Sequence, residues 1–131
     1  MKHTSRGFTV IELLIVVAIL AAASIIFFVQ KNGIEIAARD EQRKTAINAM
    51  YYSVEEVYFK QNGFYPRTLD GTTIPSVDVA LLSDPKGVKI GESDSDYRYE
   101  VSDCDGDKCK RYTLRTTLEN EDDFVRTSRN K

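Results

Sequence analysis

The chain has 131 residues, with 18 Lys plus Arg against 20 Asp plus Glu and a net charge of −2. That length holds one modest domain, and so balanced a charge gives no reason to demand nucleic acid or an anionic surface as partner. Its single histidine, His3, sits in a short polar leader, no glycine loop is built to cradle phosphate, and nothing in the sequence supports catalysis, a metal or another cofactor.

From Phe8 to Val29 the sequence is apolar, broken only by Thr9, Glu12 and Ser24. As a helix this run is about 33 Å long, enough for a hydrocarbon core of about 30 Å. Lys2 and Arg6 precede it with no acidic residue among them, so the N-terminus is expected in the cytoplasm and the remainder on the far side. The run reads in several ways. Ala21-Ala22-Ala23-Ser24 offers a small-residue cleavage site for an ordinary signal peptide, but the apolar residues continue well beyond it. A plain anchor explains the length and leaves Glu12 unexplained, since a carboxylate in lipid is costly and usually has a partner and a purpose. Thr9-x-x-Glu12 also fits a helix capping box.

A basic leader ending in Gly7, followed by Phe8, Thr9, a long apolar run and Glu12, resembles the class III signal of type IV pilins and pseudopilins. The resemblance implies cleavage after Gly7 by a membrane prepilin peptidase, with Phe8 as the N-methylated mature N-terminus. It implies Glu12 as the assembly carboxylate, meeting the Phe8 amine of a neighbouring subunit. It further implies a structural role: a helical homopolymer, built by a pilus or secretion assembly platform. The subunit would cross the cytoplasmic membrane once, then enter an extracellular or periplasmic filament. A pseudopilin of a secretion or DNA-uptake machine is the alternative within the family. An exported binding domain on a generic membrane anchor is the alternative outside it.

Beyond a polar break at Gln30 to Gly33, residues 37–62 read as an amphipathic helix. Ile47, Met50, Tyr51, Val54, Val57 and Tyr58 form its apolar stripe, and Arg43, Lys44, Asn48 and Glu55 are assigned to the opposite, solvated side. Asn62-Gly63 is the expected stop, and Pro66 forbids easy continuation. Many pilins have a proline near the position of Val29; here there is none, and Gly33 is the only weak point. Phe64-Tyr65-Pro66 resembles the family's exit from the long helix, and Leu82-Ser83-Asp84-Pro85 a stretch preceding the sheet in many pseudopilins. Residues 77–82 are expected as a short helix capped by Ser76.

Alternating Tyr97, Tyr99 and Val101, then Tyr112, Leu114, Thr116 and Leu118, predict two half-buried strands around the turn Asp105-Gly106-Asp107-Lys108. The second of these resembles the last strand of many pilin heads. Cys104 and Cys109 flank the turn and are expected to form a disulfide, as suits an oxidising compartment. Asp103, Asp105 and Asp107 suggest calcium, but the sixth and twelfth places of an EF-hand loop hold Lys108 and Leu114, and a solvated acidic turn fits better. Lys108, Lys110, Arg111 and Arg115 form a basic strip. A nucleic-acid contact there has no other support, and acidic neighbours blunt its field.

The expected fold is α+β and pilin-like: a long N-terminal helix, membrane-spanning in its first half, packed against a small antiparallel β-sheet head. Residues 1–7 are the leader, 8–33 the membrane or filament-core half of the helix and 34–63 its amphipathic half. Residues 64–131 are the loop and sheet head, ending in a mobile tail from Thr127.

Overall fold

The computed structural model describes residues 7–130. Helix α1 runs from Val10 to Tyr52, passes through a π-helical segment, Ser53–Tyr58, and ends as α2, Phe59–Asn62. The polar stretch at 30–33 does not break it. Lys31 and Glu35 pair one turn apart at 3.6 Å there, and the single Gly33 costs about 1 kcal/mol relative to Ala, too little to end a long helix. The stop comes at Gly63, which takes the left-handed conformation at φ 75° and donates its N–H to Phe59 O at 2.7 Å. That geometry favours a residue without a Cβ.

The chain divides into two compact units, Met1–Glu35 and Ile36–Lys131. In the first, the described side chains are exposed on every side, and the helix is long and apolar enough to cross a membrane.

The second unit is α+β and holds a small antiparallel sheet. Strands β2 (Tyr97–Asp105) and β3 (Lys108–Thr116) form a hairpin across the two-residue loop Gly106-Asp107, with Gly106 at φ 60°. A glycine first in such a loop suits a II′ turn, whose twist matches the strands. The other edge of β3 is shared by β1 (Tyr65–Pro66), beside Lys108 and Cys109, and β4 (Phe124–Thr127), beside residues 113–116. The long helix with this sheet is the pilin-like layout. Ile47, Met50 and Val54 on the helix are buried with Tyr65, Tyr97, Tyr112 and Leu114 of the sheet. Leu69, Ile74, Val77, Leu82 and Ile90 of the long loop complete the core.

Inward parity on β3 changes near the turn. Tyr112, Leu114 and Thr116 are buried in alternation, but toward the turn it is Cys109, not Lys110, that is buried. The change falls where Asp103, between the pairs Ser102–Arg111 and Cys104–Cys109, adopts φ 55°. Aspartate is among the few residues that tolerate this conformation.

Three expectations need correction. Arg43 and Glu55, assigned to the solvated side of the helix, are buried at 3% and 4% exposure. For Arg43 the reason is periodicity: Asp40, Arg43, Ile47, Met50 and Val54 share one face by the same spacing that makes the stripe. For Glu55 it is the π segment. Phe59 N–H bonds back five residues to Val54 O, and the wider turn lets Ser53, Val54 and Glu55 all lie buried in succession. The short helix is a 3₁₀ turn, Val79–Leu82, capped by Asp78, which accepts from Ala80 N at 3.0 Å. Ser76 instead bonds Ser53 through their hydroxyls at 2.5 Å. β3 is not the last strand, because β4 follows it. Thr127 ends β4, and Ser128 N–H donates to Tyr112 O at 3.0 Å. Lys131 lies outside the described residues.

Candidate processing and assembly site

Gly7, Phe8 and Thr9 precede the helix, and Glu12 lies in its first turn. Thr9 acts as the cap: its side-chain oxygen accepts from Glu12 N–H at 3.3 Å, and its carbonyl accepts from Leu13 N–H at 3.1 Å. This is half of a capping box. Among the described residues, no side chain or amide bonds the Glu12 carboxylate, so the reciprocal half is absent. The carboxylate is therefore not consumed by the cap. It lies in the first turn, at the positive end of the helix. Gly7 is open, with no atom within 4 Å of where a Cβ would stand, and Phe8 is 80% exposed. Lys2, His3 and Arg6 of the leader lie outside the described residues.

Cys104 and Cys109 form a disulfide that closes the hairpin tip. Reducing it removes a short loop constraint of about 2 kcal/mol. The head is expected to melt about 10 °C lower in dithiothreitol, read by tyrosine near-UV circular dichroism. The basic strip is largely engaged locally. Arg111 binds Asp103 at 2.7 Å, Arg115 binds Glu100 at 3.1 Å, and Lys108 stands 5.3 Å from the Phe64 ring centre.

Two buried polar clusters were not foreseen. At the first, the Arg43 guanidinium donates to Asp40 at 2.9 Å, Glu119 at 2.9 Å and Asp96 at 3.1 Å. Asp40 also accepts from the amides of Glu119 and Asn120 at 2.9 and 3.2 Å, and Arg39 grips Glu119 twice at 2.7 Å. Lys86 bonds Asp96 at 2.8 Å, while Asp84 accepts from the amides of Lys86, Val88 and Asp96. At the second, Glu55 accepts from Tyr112 Oη at 2.9 Å, Tyr65 Oη at 3.1 Å and Arg129 N–H at 3.0 Å.

Burial pushes the Asp40 carboxyl up, but the two loop amides and Arg43 outweigh it and hold it below 3.8. Burial likewise raises Asp84, and its three amide donors bring it below the usual value. Arg39, then Arg43, hold Glu119 down to about 2. Each folded value is lower than the unfolded one, so the fold binds fewer protons at these groups. Their stabilisation is complete above the unfolded values, 3.8 and 4.5, and is lost as pH falls toward about 2. Thermal unfolding of the full chain in detergent should show a melting temperature that drops over that window. A melting temperature flat between pH 5 and about pH 2 would contradict this. Burial raises the Tyr97 hydroxyl to about 12 and pushes Tyr112 up further, helped by the charge of Glu55.

The only sequence signal for the first cluster was the helical spacing itself, which a hydrophobicity-led reading discounts at charged positions. The second had no signal, because the π segment shifts the phase.

Residues 2–28 match the family model for the prokaryotic N-terminal methylation motif. No curated protein and no solved structure matches the chain. With Gly7, Phe8 and Glu12 inside the matched segment, ahead of a helix able to cross a membrane, the chain carries the class III prepilin signal of type IV pilins and pseudopilins.

Proposed function

We propose that this chain is a structural subunit of a type IV pilus-like filament. The leader is cut after Gly7 by a prepilin peptidase on the cytoplasmic side, and the new amine on Phe8 is methylated. The helix holds the subunit in the cytoplasmic membrane with its N-terminus inside. Subunits then leave the bilayer by packing their apolar helices into a filament core. The Phe8 amine of an incoming copy meets Glu12 of its neighbour, so each charge gains a partner in an apolar setting.

The observation that carries this reading is the Glu12 carboxylate. It sits in an apolar run, and among the described residues it has no hydrogen-bond donor. Mass spectrometry of the N-terminal peptide tests the processing. A mature chain starting at Phe8 with one added methyl is expected; a start after Ala23, or retention of Met1, would overturn it. Glu12→Ala should still insert and be cut, yet yield less than about a tenth of the wild-type filament or transport activity, the loss of one buried ion pair. Filaments visible by electron microscopy identify a pilin. Lost secretion or DNA uptake without visible fibres identifies a pseudopilin.

A further inference from the structure

Residues 128–130 cross the head beside Glu55 and are held without any buried apolar side chain. Ser128 N–H donates to Tyr112 O at 3.0 Å and Arg129 N–H to Glu55 at 3.0 Å. Asn130 Nδ2 donates to Tyr65 Oη at 3.1 Å, and Arg129 Nε to Tyr51 Oη at 3.0 Å. The Arg129 guanidinium lies 5.4 Å from the Tyr51 ring centre and pairs with Glu56. Arg129 and Asn130 are exposed and Ser128 is half-buried. Residues 124–127 differ: they are paired to β3, and Phe124 packs against the core.

We infer that residues 128–130 form a releasable strap, which opens while the rest of the head stays folded and uncovers Glu55. Two features of the geometry make opening inexpensive. The strap gives up hydrogen bonds that water replaces, and no apolar burial. Glu55 does not become an orphan, because Tyr65 and Tyr112 still donate to it. The opened surface presents the Glu55 carboxylate, the Tyr112 carbonyl and the Tyr51 ring beside Glu56. Terminal segments that bury no apolar side chain open locally ahead of the global fold.

Hydrogen exchange on the full chain in detergent tests this. The amides of Ser128 and Arg129 are expected to exchange at least about 100-fold faster than that of Leu114. Equal rates would overturn the inference. Arg129→Pro removes both the N–H that reaches Glu55 and the guanidinium. It is expected to raise carbodiimide-driven amine labelling of Glu55 by about tenfold with the melting temperature of the head nearly unchanged. A fall in melting temperature as large as that of Glu55→Ala would show the strap to be part of the core and overturn the inference.

Discussion

Arg43→Met should lower the stability of the head by about 3 kcal/mol, and its melting temperature by about 15 °C. The guanidinium is 3% exposed and bonded to three carboxylates, one of which, Asp40, is as deeply buried as itself. Methionine fills a similar volume, so the loss reports charge and hydrogen bonding rather than a cavity. Asp40 keeps its two amide donors but loses its cation, while Glu119 keeps Arg39 and Asp96 keeps Lys86. Removing one member of a buried ionic group costs more than the group is worth in net terms, because the remaining charges stay desolvated. Arg43→Lys should fall between, since an ammonium cannot serve three carboxylates with a planar fork. Urea unfolding followed by tyrosine near-UV circular dichroism compares both variants with the wild type. A loss below about 1 kcal/mol for Arg43→Met would show that the cluster fixes the loop at 117–123 without stabilising it.

Glu55→Ala should cost a similar amount, about 3 kcal/mol, by a different route. The two tyrosine hydroxyls that donate to Glu55 are buried, with Tyr65 at 0% and Tyr112 at 2% exposure. Without the acceptor, each hydroxyl loses a hydrogen bond in a place where water has little access, a penalty of about 1–3 kcal/mol per group. Glu55→Gln keeps a carbonyl acceptor and the volume, and should cost about 1 kcal/mol. If Gln and Ala are equally harmful, the negative charge matters rather than the acceptor. If Ala is harmless, the hydroxyls have found other partners and the cluster is not what joins helix and sheet. Either result is read on the same unfolding curves as Arg43→Met, and the two sites share no residue.

Much of the molecule was written locally. The leader, Gly7, Phe8 and Glu12 are adjacent in sequence, and the apolar run needs only its own length to reach across a membrane. The hairpin between β2 and β3 follows from alternation and one glycine turn, and the disulfide Cys104–Cys109 from two cysteines that the turn brings opposite each other. The helix stop at Gly63 follows from its tolerance of positive φ. Each of these depends on neighbours a few residues away.

What tertiary structure decided depends on contacts about which local propensity is silent, most of those around Arg43 and Glu55 being with partners about 50 to 80 positions away. Arg43 is buried because Asp96 and Glu119 meet it, and Glu55 because Tyr65, Tyr112 and the backbone of Arg129 do. A charged residue reads as solvated until those donors and acceptors are in place, since burial without them would be prohibitive. β4 escaped notice for the same reason. Phe124-Val125-Arg126-Thr127 is too short and too polar to announce a strand, and it becomes one only because β3 offers it a free edge beyond β1. The sequence by itself determined how the chain begins and where its helix and hairpin lie. Only the fold determined which of its charges are inside, because burying a charge requires partners that no stretch of local sequence can supply.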